Sequence, residues 1–353
     1  MIYIIYIMLK FRYHIAVCII LCLCGCQSQK NEEIESASIS FNPTTVDSII
    51  GKPISVHFVG EDSLLVNDIM SNPLVKIFNL KSGAEVLSAA PIGNGPGEVF
   101  PPVRIAASKD SVYIFSLTSK KLYGMPISGG EMTEITQLPL EVMGLYYLPK
   151  SGIFIAPVMA LVNQEDKGTA YAYVYDKDLK KIQEIETPAT LWAGEKNYPP
   201  SAISKFHQIQ AICETSDGRI GILESHLIRL FDFNGNRLER IADELLFPYE
   251  YDYDSASNGS LVATTKPRSG VVKGAKDMAS VGDKFLLSVD MTVNGEPVQE
   301  ESVVKLLTLD KDGNPIKEYI PNVVLNPYPL AVSDRGTVVM FSAEGVPVVA
   351  KLP

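Results

Sequence analysis

Tyr249, Tyr251 and Tyr253 alternate with Glu250, Asp252 and Asp254 in one short segment. Aromatic faces beside carboxylates suit a glycan, which presents an apolar ring face and a rim of hydroxyls, and two carboxylates can also divide acid and base roles in glycoside cleavage. A solvated strand or loop with the same alternation needs no ligand and is the plainer reading. Trp192 and Tyr198, in a neighbouring insertion, either join that aromatic surface or pack its loops down. The second candidate is the run Pro91-Ile92-Gly93-Asn94-Gly95-Pro96-Gly97-Glu98-Val99-Phe100. Its glycines permit a compact loop whose backbone N–H groups could face an anion, with Asn94 and Glu98 as its polar side chains. Its spacing matches neither nucleotide-binding fingerprint and no helix follows, so a structural turn is the leading reading.

Other chemistries find little support. Beyond residue 26 the histidines are His57, His207 and His226, with no pair at helix-face spacing for zinc, and no G-x-S-x-G elbow is present. Asp252-Tyr253-Asp254 lacks the downstream Gly and Glu of a calcium loop, and Asp310-Lys311-Asp312-Gly313-Asn314 runs straight into Pro315. Neither a metal nor a cofactor is expected. His57, Arg104 and His207 fall in or near strands expected at the centre of the fold, where they either approach a central channel or serve as core and surface residues. A binding role is therefore the leading expectation, and an enzyme using carboxylates with His or Arg at a channel mouth is the alternative.

The elements that would position these residues are short strands. Ile209 to Ile241 reads as four of them, joined by Ser216-Asp217-Gly218 and Asn234-Gly235-Asn236, both strong hairpin signals. So small a sheet needs neighbours to cover its faces, and the unit recurs. First-hairpin turns centred near positions 62, 110, 151, 217, 283 and 334 each precede an apolar run, from Leu64-Leu65-Val66 to Val338-Val339-Met340-Phe341. Many of these runs are apolar at successive positions, as strands covered on both faces require, whereas a β-sandwich would alternate more cleanly. The expected fold is all-β: a six-bladed β-propeller of four-stranded antiparallel blades. The sixth unit lacks an outer strand, which residues 38–49 would supply, closing the ring with both chain ends.

Extra length falls at Val158 to Gly168, Thr187 to Lys205, Ala242 to Lys276 and Thr292 to Glu301. These lie between second and third strands or between blades, connections that emerge on one face of a propeller. That face is the expected binding face. The innermost strand of blade five is expected near Ser260 to Thr265 or near Met278.

A net charge of −10 in 353 residues, moving to −12 once residues 1–25 are removed, excludes a nucleic-acid binder. Four of the five cysteines lie at or before position 26, which leaves Cys213 without an intramolecular partner, as a small core residue. Lys10 and Arg12 precede the apolar run His14 to Leu23, a signal-peptide arrangement better placed if translation starts at Met8. Leu23-Cys24-Gly25-Cys26 resembles the bacterial lipobox, which implies lipidation of Cys26 and anchoring to a membrane. The expected organisation is a signal peptide over 1–25, a lipidated Cys and tether over 26–39, and a propeller over 40–353. The acidic tether also resembles the surface-export signal of lipoproteins in the Bacteroidota. Gly93 to Glu98 followed by Phe100, with the lipobox and six repeats, resembles the TolB-like six-bladed propeller lipoproteins of the Bacteroidota. The resemblance implies an outer-membrane location facing periplasm or cell surface and carries over no catalytic residues. A monomer binding a glycan or an envelope protein is expected.

Overall fold

The computed structural model describes residues 34–46, 50–159, 170–186, 208–255, 261–267, 272–293, 296–297 and 303–353, with backbone alone for 250–255, 261–267 and 296–297. Cys26, Trp192, Tyr198 and His207 lie outside the described residues. The unit Glu35–Pro353 contains six sheets arranged as blades in a ring, and no helix occurs among the described residues. In each blade the first strand lies innermost. These inner strands are Pro53–Val59, Val103–Ala107, Tyr146–Leu148, Ala211–Glu214, Gly274–Val281 and Leu325–Val332, and each contacts the next around the ring, the last returning to the first.

The turns behave as their residues dictate. Gly60, Gly152, Gly218, Gly282 and Gly336 hold positive φ at first hairpins, a conformation glycine adopts without steric cost. The unit that begins near Ile209 is regular: Ala211–Glu214, Ile220–Glu224, Leu227–Phe233 and Leu238–Leu245 pair antiparallel in that order. The inner strand of blade five centres on Met278. Residues Leu261–Pro267 instead form a separate hairpin with Tyr249–Ser255, in register from Tyr249 opposite Pro267 to Ser255 opposite Leu261.

Ring closure uses both chain ends in two ways. Asn42–Pro43 pairs antiparallel with Pro347–Lys351 and supplies the outer strand of blade six. Glu35–Ile39, inside the stretch read as tether, pairs parallel with Pro315–Pro321 and gives blade five a fifth strand. Between them Phe41 is buried among Leu306, Tyr319 and Met340, with its N–H donating to Asn322 Oδ1 at 2.7 Å. Covering two outer edges leaves fewer unpaired strand groups open to association.

Apolar clusters fill the six interfaces between blades. Val56, Leu64, Phe78, Val339 and Phe341 fill the interface of blades six and one, while Ile155, Val174, Ile222 and Phe231 fill that of blades three and four. Runs such as Leu64-Leu65-Val66 are wholly buried because one side chain faces each neighbouring blade in turn. Each large buried side chain contributes roughly 1.5–3 kcal/mol relative to exposure.

The chain direction gives the ring two distinct faces. Every inner strand runs from what we term the insertion face toward the turn face, where the first hairpins lie. Connections between second and third strands, and those between blades, therefore return to the insertion face. Among the described residues, 69–74, 90–102, 138–145, 158–159, 208–210, 246–248, 272–273, 322–324 and 343–346 belong to such connections.

Candidate functional site at the channel mouth

The insertion face is fastened by polar residues that end the second strands of the blades. Asp68 accepts N–H bonds from Gly51 at 2.7 Å, Lys52 at 2.8 Å and Met70 at 3.0 Å, and a hydroxyl bond from Ser71 at 2.5 Å. Ser116 Oγ donates to the Phe100 carbonyl at 2.7 Å, and Asp290 accepts from the backbone and hydroxyl of Thr292 at 3.0 and 2.7 Å. Glu224 accepts the Tyr171 hydroxyl, and Ser342 accepts the Val346 N–H at 3.3 Å. The bonds to the carboxylates of Asp68, Asp290 and Glu224 are of the charge-assisted kind, about twice as strong as the neutral ones at Ser116 and Ser342.

The glycine-rich loop is one of these connections. Gly95 N–H donates to Glu98 Oε2 at 2.6 Å, Glu98 N–H returns to the Gly95 carbonyl at 3.0 Å, and Ile92 N–H donates to Asn72 Oδ1 at 3.0 Å. A Cβ at Gly93 would stand 2.0 Å from Glu98 Oε2, so the missing side chain makes room for the carboxylate. The loop has thus folded around its own anion, the turn reading of the sequence in physical form. Asn94 and Phe100 remain exposed on the same face.

Tyr249 is buried, its ring 4.8 Å from that of His226, and its hydroxyl donates to the Lys273 carbonyl. It seats the base of the hairpin. Tyr251, Asp252, Tyr253 and Asp254 continue that strand, and their side chains lie outside the described residues.

At the centre, the inner strands bring together residues far apart in sequence. Arg104 is the second residue of its strand and Tyr146 the first, both at the insertion-face end. Tyr146 Oη donates to the Gln210 carbonyl at 3.1 Å, and the Tyr328 hydroxyl donates to the Ile54 carbonyl. Asp277 Oδ1 accepts from Met278 N–H and Oδ2 from Leu330 N–H, each at 2.8 Å. The electrostatic couplings cross the ring. Tyr146 on blade three feels Asp277 on blade five, Arg104 on blade two and Tyr328 on blade six. Blades three and six stand opposite in a six-membered ring, as do two and five, so these side chains share one lumen.

Burial along the inner strands shifts proton affinities. Burial pushes the Asp277 carboxyl up to about 7, against the opposing pull of its two backbone donors. Burial lowers His57 to about 4, opposed by a hydrogen bond to the Ile105 backbone, and its Nε2 is buried with no partner. His57 is therefore neutral at pH 7. Burial also raises the phenols of Tyr146 and Tyr328 and the thiol of Cys213, which keeps that thiol unreactive. The Arg104 backbone pairs with Phe115 in the ladder, and its side chain makes no hydrogen bond or ion pair among the described residues. No group of three or more His, Cys, Asp or Glu side chains among the described residues is placed to hold a metal ion.

The sequence offered His57 and Arg104 either as channel residues or as core and surface residues, and it did not single out Tyr146, Asp277 and Tyr328. The usable signal was position: each lies a few residues before a first-hairpin turn.

A family profile described as TolB-like 6-blade propeller-like matches residues 31–329. A candidate exported protein of Bacteroides fragilis has a similar structure, with a TM-score of 0.57 at 13% identity over 90% of this chain and 98% of that one. A Bacteroides vulgatus protein of a family without assigned function gives 0.54 at 9% identity over 90% and 97%. The calcium-binding protein regucalcin from Agrobacterium tumefaciens gives 0.51 at 13% identity over 90% and 95%. No curated protein matches by sequence.

Proposed function

The chain belongs to the TolB-like 6-blade propeller family, and we propose that it uses this scaffold as an exported binding module that docks a protein partner of the cell envelope on its insertion face. One observation carries this reading. Every exposed large apolar side chain on a connection, namely Met70, Ile92, Phe100, Leu140, Met159, Val324 and Val346, lies on that face among the described residues. Among the described residues the hairpin turns of the turn face carry none and display Asp62, Lys81, Lys109, Asp110 and Lys311 instead, with Ile34, before the first strand, the exposed apolar side chain on that side. Apolar surface gathered on one face of a folded protein favours a partner that buries it. Branched and thioether side chains suit a protein surface better than a sugar, which prefers flat aromatic rings.

The leader sequence supports the cellular setting. Lipidation at Cys26 would anchor the chain, and Glu35–Ile39 starts toward the turn face, opposite Lys317. A glycan contacting Tyr251, Asp252, Tyr253 and Asp254 would approach this same insertion face. A hydrolase or lyase at the channel mouth is a second reading, favoured by the displaced proton affinities of Asp277 and His57. Docking is preferred because both Asp277 oxygens already accept backbone N–H groups.

A photo-crosslinking residue placed at Phe100 or Leu140 in cells should capture one defined partner, and the same residue at Lys109 or Lys311 should not. Phe100→Glu should abolish the capture made from Leu140. Equal labelling from both faces, or none from either, would sink the docking reading.

A further inference from the structure

We propose that the insertion-face end of the channel is a seat for a small organic carboxylate, with Arg104 as its anchor. The proposal deepens the reading of this face as the binding face and is independent of who the protein partner is.

Three observations carry it. Arg104 and Tyr146 stand at the insertion-face ends of adjacent inner strands, with Tyr328 on the blade opposite Tyr146 within electrostatic reach, and no carboxylate among the described residues lies within ion-pair distance of Arg104. A guanidinium held beside aromatic walls, partly out of water, gains most from a planar anion that takes two parallel N–H bonds. Asp277, on the blade opposite, does not fill this role, because its oxygens are turned to Met278 and Leu330 N–H. The remaining groups are acceptors. Both phenol hydrogens are spent on the carbonyls of Gln210 and Ile54, which leaves phenol oxygens and the outer lone pairs of Asp277 to receive donors. The site therefore fits a molecule with a carboxylate at one end and hydrogen-bond donors at the other. The glycine-rich loop offers no competing anion seat, since Glu98 occupies it.

Two ligand types carry this shared chemistry: a sugar acid, whose donors are hydroxyls, and an amino acid, whose donor is an ammonium. Calorimetric titration of the full chain with glucuronate, its methyl ester, glutamine and glutamine amide tests both. We expect at least one free acid to bind ten-fold or more tightly than its neutral carboxyl derivative. Arg104→Gln should erase that preference and Arg104→Lys should retain part of it. Binding of glutamine that falls ten-fold in Asp277→Asn identifies the ammonium source, and glucuronate binding that changes less than three-fold in that variant identifies the sugar acid. If each acid binds no better than its neutral derivative, the proposal is wrong, and that comparison needs no variant to fold. It is equally overturned if a folded Arg104→Gln protein keeps the preference. Failure of the crosslinking experiment would leave this titration unaffected.

Discussion

The hydroxyl of Tyr171, on blade three, donates to the carboxylate of Glu224, on blade four, at 2.6 Å across a dry interface. Arg229 Nε holds the same oxygen at 2.6 Å and also reaches Asp243, so two carboxylates share one buried guanidinium. Removing the cation leaves the buried Glu224 carboxylate with the Tyr171 hydroxyl but no cation, while Asp243 keeps Arg240. Arg229→Met should cost about 3–5 kcal/mol, whereas Arg229→Met combined with Glu224→Gln should recover part of the loss. Urea denaturation of the three proteins checks this, and a single variant as stable as the parent would refute it.

Asp68 makes the opposite kind of investment, at a loop. Burial alone would raise its carboxyl, yet hydrogen bonds from Ser71, Lys52, Gly51 and Met70 bring it below its ordinary 3.8. A folded-state value below the unfolded one gives stability that is present above about pH 4 and lost as pH falls through the folded value. Asp68→Ala should cost roughly 1–3 kcal/mol at pH 7 and remove this part of the acid sensitivity. Melting temperatures at pH 7 and pH 3 measure both effects.

The channel responds to pH in the reverse sense at Asp277. Its folded value near 7 lies above the ordinary 3.8, so its contribution is fully present below pH 4 and declines as pH rises to 7. The decline is at most about 4 kcal/mol. Asp277→Asn should melt near the parent at pH 4 and above it at pH 8. His57, lowered from 6.5 to about 4, contributes above pH 6.5 and loses that contribution as pH falls through 4. His57→Gln should flatten that acid limb. A melting profile from pH 4 to 8 that Asp277→Asn leaves unchanged would contradict the assignment.

The glycine-rich loop predicts a paired effect. Gly93→Ala must expel the Glu98 carboxylate and should cost about 1–3 kcal/mol, the usual range for overpacking. Glu98→Ala vacates that space, so the double variant should be little worse than Glu98→Ala alone. Strictly additive losses in a thermal double-mutant cycle would show that the two residues do not share the space.

Turn chemistry made the blade pattern legible, since Gly218, Gly282 and Gly336 mark hairpins by the φ they must adopt. Blade five was harder. A register shift between Ala275 and Asp277 breaks the alternation of its inner strand, and the hairpin Tyr249–Ser255 with Leu261–Pro267 imitates a blade edge. Tyr249 looked like surface because its neighbours are acidic, yet contact with His226 buries it. The channel residues escaped notice for a topological reason. A lumen draws one or two side chains from each inner strand, so Tyr146, Asp277 and Tyr328, unlike the candidate Arg104, had no local spacing to detect. Tyr328 was further hidden between Pro327 and Pro329, which read as a strand breaker. The polar ends of the second strands, Asp68, Ser116, Glu224, Asp290 and Ser342, were detectable by aligning those strands with one another.

The parallel pairing of Glu35–Ile39 with Pro315–Pro321 also has a mechanical meaning. Tension on the residues before Glu35, directed away from the turn face, acts along that strand rather than across it. Its hydrogen bonds then carry the load together in shear, instead of unzipping one at a time. Phe41, buried just beyond the strand, acts as a peg that must be extracted before the tear can reach blade six. A chain tugged by its amino-terminal end would thus yield late, with blade six still closed while the first strand holds.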